Sequence, residues 1–131
     1  MNAPVQVDID DVNRPYWEGL NEGQLKYQSC SCGHRWLPAR KCCPACLSDQ
    51  WSWCTAAGTG TIRSWVVYHV AYHPDFKDRV PYNVAIVRLD EGPQLITNIN
   101  APNDQLSVGA LVRFSPTRGA EQALAAFSLG P

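Results

Sequence analysis

The sequence predicts a mainly β chain with one short helix near its N-terminal end. Three observations carry this expectation. Residues 61–72 and 82–89 are rich in β-branched and aromatic side chains. Nine Gly and ten Pro break the chain into short segments. Six cysteines crowd into the stretch from Cys30 to Cys54, where a chain would fold tightly around shared chemistry. At 131 residues there is room for one domain with a small appendage, and about two thirds of the unfolded surface is buried at this size, so the core needs no disulfide framework.

Charge divides the chain into segments. Residues 1–25 hold five acids and one base, residues 26–46 four bases and no acid, and residues 47–131 seven acids and six bases, so the chain reads as modular. We place the segments at 1–25, 26–55 and 56–131. The net charge of −1 supplies no global basic field, which argues against binding to phosphate backbones. Met1 to Asp11 carries three aspartates and no apolar block, the reverse of a secretory leader, so the chain is expected to stay in the cytoplasm. The longest apolar stretch, Ala123 to Phe127, falls far short of the roughly 20 residues of a membrane span, and no membrane association is expected.

In the first segment Asn13 is the expected N-cap, Pro15 suits the opening turn, Trp17 and Leu20 share a face, and Gly23 stops the helix. Two turns rarely hold alone in water, so Tyr16, Trp17 and Leu20 should dock on the rest of the chain or on a partner. From Gly58 the signals become those of strands. Thr61 to Tyr72 places Ile62, Val66, Tyr68, Val70 and Tyr72 at period two and is long for one flat strand. Tyr82 to Leu89 is apolar on both faces, Asp90-Glu91-Gly92-Pro93 is a turn, and Leu95 to Ile99 returns as a hairpin. Leu111 to Phe114 makes a fourth strand. Ala123 to Leu129 is a fifth strand or a short helix, its alanines leaving both open. Five short strands with a first one long enough to bend fit a small Greek-key barrel of the OB type.

The cysteines carry the strongest chemical signal. Cys30/Cys32 and Cys43/Cys46 are two pairs separated by ten residues, enough to bring two turns face to face around one tetrahedral ion. Gly33 can take a positive φ that turns amides toward a thiolate, and Pro44 stiffens the second turn. Four thiolates on Zn²⁺ carry a charge of −2, which Lys26, Arg35, Arg40 and Lys41 would offset. Cys42 competes with Cys43, but Cys43-Pro-Ala-Cys46 has the standard two-residue spacer, so Cys42 is left free and Cys54 is read as a buried thiol. Zinc is favoured over iron because the attached β-domain exceeds what an electron carrier needs, and disulfides are set aside by the reducing compartment. With four protein ligands the metal site would be closed and structural.

Catalytic machinery is sparse. His34 lies inside the cysteine block as a solvated turn residue, His69 sits in the long strand, and His73 stands near Asp75, where an acid–base pair has no nucleophile elbow, phosphate loop or paired carboxylates beside it. Trp36, Trp51, Trp53 and Trp65 could stack bases, but aromatic residues of a small barrel more commonly fill its core.

Asn13-Arg-Pro-Tyr-Trp-Glu-Gly-Leu, Gly23-Gln-Leu, Gln28-Ser-Cys-Ser-Cys-Gly, Pro38-Ala-Arg, Cys43-Pro-Ala-Cys, Gly58-Thr-Gly-Thr, Pro81-Tyr, Leu89-Asp-Glu-Gly-Pro and Val108-Gly follow one another in an order and spacing that spans nearly the whole chain. In this the chain resembles a family of small proteins with a rubredoxin-like zinc ribbon and a C-terminal OB-fold barrel, a domain of unknown function found beside thiolase-like enzymes. The resemblance implies a non-catalytic accessory subunit of an acyl-CoA-processing complex. Its partner would be a thiolase-like protein (thiolase, acyltransferase or aldolase) or a hydratase, and it would help to line a CoA channel. It also implies zinc on Cys30, Cys32, Cys43 and Cys46. The chain departs from the family at its first cysteine pair, with one intervening residue in place of the common two, and at Leu47, where a glycine is frequent. Arg63, His69, Tyr82 and Arg88 are candidates for contact with a CoA ester, each with an ordinary surface or core role as its alternative. The competing class is a single-stranded nucleic-acid binder, suggested by the OB-like strands and the basic cysteine block; an independent enzyme or electron carrier is the third.

Overall fold

Pro15 in the first turn and Gly23 just past the last set the limits of the first element. The computed structural model describes residues 9–69, 81–117 and 122–130; helix α1 runs Arg14–Asn21, and Gly23 leaves it at φ 78°. Asn13 occupies the N-cap position, but its side chain does not cap the helix. Its Oδ1 accepts the Asp10 amide at 2.8 Å, while Asp10 Oδ1 accepts the amides of Val12 and Asn13, so the carboxamide is spent on the preceding turn. Leu20, with Leu25 just beyond the helix, is buried against the barrel, so the two turns dock on their own chain.

The cysteine segment forms a three-stranded antiparallel sheet in the order β2-β1-β3, from β1 (Lys26–Cys30), β2 (Arg35–Trp36) and β3 (Trp51–Thr55). Cys30 stands opposite Trp51, and Tyr27 opposite Cys54. The run Trp51-Ser-Trp-Cys-Thr has strand propensity that the cysteine spacing had masked. Cys54 is half-buried, not fully buried as expected, because β3 lies at the edge of the sheet.

The remaining strands, β4 (Thr59–Tyr68), β5 (Tyr82–Leu89), β6 (Gln94–Ile99), β7 (Leu111–Phe114) and β8 (Ala126–Leu129), close into a barrel in the order β4-β5-β6-β8-β7. Among the described residues only β6 and β8 pair in parallel, and the return between them includes a 3-10 turn, Asn103–Gln105, and β7. This is the five-stranded Greek-key arrangement that the strand pattern predicted. The alanine-rich segment resolves as strand: Phe127 joins the barrel core, and Ala126, on the opposite face of β8, is buried as well. The core comprises Ile62, Ala85, Val87, Leu89, Leu95, Ile99, Leu106, Val112 and Phe127, joined by Leu20 and Leu25. A separate small cluster of Cys30, Trp36 and Cys43, flanked by Trp51, lies in the ribbon.

Strand β4 pairs with β5 along its length and with β7 at its start, so it must bend. Gly60 permits this: a Cβ there would collide with the Arg88 carbonyl. The register then shifts between Ile62 and Ser64. The expected single stripe of period-two residues is therefore broken. Ile62 is buried, whereas Val66 is 53% exposed on the outside of the barrel, because the irregularity changes which alternate residues face in. Residues 70–72 of the predicted long strand, and His73 and Asp75, lie outside the described residues.

Candidate metal centre

Each cysteine turn is built by its own backbone. In the first, the Cys30 amide donates to the His34 carbonyl at 2.9 Å and the Gly33 amide to the Cys30 carbonyl at 2.9 Å, with Gly33 at φ 96° as its position required. In the second, the Cys43 amide bonds the Ser48 carbonyl and the Leu47 amide bonds the Cys43 carbonyl, both at 2.8 Å, and the Ala45 amide points at Cys43 Sγ at 3.4 Å. Leu47 holds φ 65°, a conformation that favours glycine.

The two turns bring Cys30, Cys32, Cys43 and Cys46 together, with all four sulfurs within 4.8 Å of one another. The closest approaches cross between the turns, Cys30 to Cys46 at 3.6 Å and Cys32 to Cys43 at 3.7 Å. Sulfurs about 2.3 Å from a shared ion stand about 3.8 Å apart in a tetrahedron, so the cluster has the dimensions of a tetrathiolate site. Cys42 is exposed and outside the cluster, which leaves Cys43 as the partner of Cys46. His34 is also outside it; its ring stacks on Trp36 with centroids 5.7 Å apart.

Electrostatics make the same point. The Cys32 amide beside Cys30, helped by the surrounding thiols, brings its pKa down to about 7. At Cys46 the Ser48 amide also favours the thiolate, but the Cys30 and Cys32 sulfurs alongside outweigh it and push the pKa up to about 12. One negative charge is readily accepted here and further ones repel. A dication removes that repulsion, and all-sulfur donors suit zinc.

The loop between the turns is held by a residue that sequence reasoning did not single out for this role. Gln28, fully buried on β1, bonds the backbone of Arg40 in both directions, and Trp51 Nε1 donates to the Lys41 carbonyl at 2.6 Å. Neither side chain has a local motif that reveals such a contact. The other candidates lie away from the cluster on the barrel. Arg63 and Arg88 are exposed on its outer face, Tyr82 stacks on Tyr68 with centroids 5.3 Å apart, and His69 is exposed at the end of β4.

The sequence matches two family models, "ChsH2, rubredoxin-like zinc ribbon domain" over residues 17–52 and "ChsH2, C-terminal OB-fold domain" over residues 53–115. It is 31% identical over 104 residues to a DUF35 domain-containing scaffold protein of Pyrococcus furiosus, an alignment covering 76% of this chain and 68% of that protein. The chain belongs to the DUF35 family. It is also 37% identical over 103 residues to a probable enoyl-CoA hydratase alpha subunit of Thermomonospora curvata, covering 77% of this chain. This DUF35 chain spans 32% of the length of that relative. Among solved structures it superimposes on a chain of "Ltp2-ChsH2(DUF35) aldolase" with a TM-score of 0.84 at 33% identity, over 95% of this chain and 98% of that one. The OB barrel and the ribbon are thus both features of its family, and the cysteine cluster of the ribbon fits zinc. Among the described residues no helix is long and apolar enough to cross a membrane.

Proposed function

We propose that this chain is a non-catalytic accessory subunit of an acyl-CoA-processing enzyme complex, bound to a thiolase-like or hydratase partner. The observation that carries the reading is its likeness, over 98% of the other chain's length, to a chain of "Ltp2-ChsH2(DUF35) aldolase". The probable enoyl-CoA hydratase alpha subunit of Thermomonospora curvata adds support from an enzyme named for an acyl-CoA substrate. Cys30, Cys32, Cys43 and Cys46 are the zinc ligands in this reading. Four sulfurs from two turns fill a tetrahedron, so the ion fixes the loops and offers no position for a substrate. Its contribution is folding energy in the ribbon, which holds the loop of Leu37 to Lys41 against the rest of the chain.

Affinity-tagged protein expressed in its native cells tests this directly. Mass spectrometry after gentle washing should identify a thiolase-fold or hydratase subunit, and the purified chain alone should turn over no acyl-CoA ester. Failure to retain any acyl-CoA enzyme would refute the assignment.

A further inference from the structure

The shifted register of β4 has a consequence on the outside of the barrel. Ser64 stands opposite Ile86 and Ile86 opposite Ile96, Val66 opposite Val84, and Tyr68 opposite Tyr82. Opposed residues share a face, so Val66, Tyr68, Tyr82, Val84, Ile86 and Ile96 form one outward sheet of apolar and aromatic side chains across three strands. Val66 is 53% and Ile96 74% exposed. Tyr68, Tyr82, Val84 and Ile86 are half-buried between them, so the two exposed side chains are joined by partly exposed apolar surface, the character of an interaction surface.

Beyond it on the same face lies a cationic border. Arg88 stands opposite Thr61, and Arg113 opposite Thr59. Arg63, in the irregularity itself, is exposed two residues from Thr61. None of the three arginines has an ion-pair partner among the described residues, and Asp90 at that end is engaged by the Thr59 hydroxyl. At the other edge Ile96 continues the patch into a groove of about 310 Å³ whose walls include Tyr16, Trp17, Leu37 and Pro38, so the strip reaches the helix and the cysteine loop.

We infer that this outer face of β4, β5 and β6 is where the acyl-CoA enzyme subunit docks, presenting an apolar ridge flanked by carboxylates that meet Arg63, Arg88 and Arg113. This rests on the accessory-subunit reading above. A second copy of this chain is a poor occupant, because the face has no free described carboxylate to receive its own arginines. A nucleic acid is also disfavoured. The face is mostly aliphatic, and its aromatic pair, Tyr68 and Tyr82, is stacked on itself at 5.3 Å.

The test uses the full chain and the enzyme subunit identified with tagged protein, titrated against each other by calorimetry. Val66→Lys and Ile96→Lys should each weaken binding by about 30-fold or more, as expected at the centre of an interface, whereas Leu47→Lys, 77% exposed on the second cysteine turn, should change it less than about 2-fold. Both barrel variants alter exposed side chains, and unchanged far-UV circular dichroism verifies their folding. If Ile96→Lys does not fold, Val66→Lys decides. The pair Arg63→Glu and Arg88→Glu should weaken binding most at about 50 mM salt and much less at about 500 mM. Wild-type affinity in the lysine variants overturns this face while leaving the accessory role intact. So would a homodimer abolished by Ile96→Lys, or retention of oligo-dT that is lost in the arginine pair. If the tagged wild type retains no acyl-CoA enzyme, the accessory role itself fails and the face loses its occupant.

Discussion

Gln28 and Arg40 exchange two hydrogen bonds across the ribbon: Gln28 Nε2 donates to the Arg40 carbonyl at 2.8 Å, and the Arg40 amide donates to Gln28 Oε1 at 2.7 Å. The carboxamide stands in for a missing strand, satisfying one donor and one acceptor of a loop that has no ladder of its own. Because Gln28 is fully buried, water does not replace it.

Gln28→Leu should therefore cost roughly 2–4 kcal/mol, since it leaves the Arg40 amide and carbonyl unsatisfied in an apolar setting. Urea denaturation followed by tryptophan emission measures this. Zinc affinity in a chelator competition should fall in step, because Arg40 belongs to the loop that joins the two cysteine turns. A loss below about 0.5 kcal/mol would mean that the loop holds itself.

Metal removal should melt the ribbon and spare the barrel. The Cys30, Trp36 and Cys43 cluster is separate from the barrel core, so the ion and the barrel stabilise different parts of the chain. A strong chelator should shift the emission of Trp36 and Trp51 to longer wavelength and leave most of the far-UV strand signal, and added zinc should reverse it. Acidification should favour release, because protons compete for the thiolates. Loss of all strand signal on chelation would contradict this independence.

Leu47→Gly should raise stability. Leu47 is held at φ 65° with its side chain 77% exposed, so little packing is lost and about 1 kcal/mol of backbone strain is relieved. The gain should be read in the zinc-loaded protein as a higher midpoint of the transition reported by Trp36.

Tyr16 sets an alkaline limit. Burial beside Trp17 pushes its pKa from 10 up to about 12, so the folded state disfavours the phenolate. Its contribution is whole below pH 10 and disappears as pH rises toward 12. At about 1.4 kcal/mol per unit the loss is on the order of 3 kcal/mol. Tyr16→Phe should abolish that part of the decline in a stability–pH series. A parallel decline in both proteins would assign it to other groups.

How far the sequence anticipated the molecule depends on how local each signal is. The cysteine pairs were legible because their spacing is short-range, and so was the Asp90–Pro93 turn; β5 was read as a strand apolar on both faces, and only its pairing shows which alternate residues face in. The barrel followed from strand count. The changed register at Ile62 and Ser64 was not legible, because an extra residue in one strand has meaning only against its partner, and it turned the expected Ile62–Val66 stripe to opposite sides. Gln28 escaped notice for the same reason, since Arg40 is twelve residues away across a loop. Asn13 was placed correctly but its bond was not, because Asp10 competes for the same carboxamide.

The seat of β8 has a bearing on how the chain is made. Ala126 and Phe127 fit beside Asn98 and Ile99, while Ser128 and Leu129 complete the ladder with β7, so the last stave to be synthesised is an interior one. The ribosome must release residue 129 before the cylinder can shut. The cysteine turns emerge some eighty residues sooner. Metal loading thus has a head start during translation, and a nascent chain would carry a finished ribbon ahead of staves still waiting for their last neighbour.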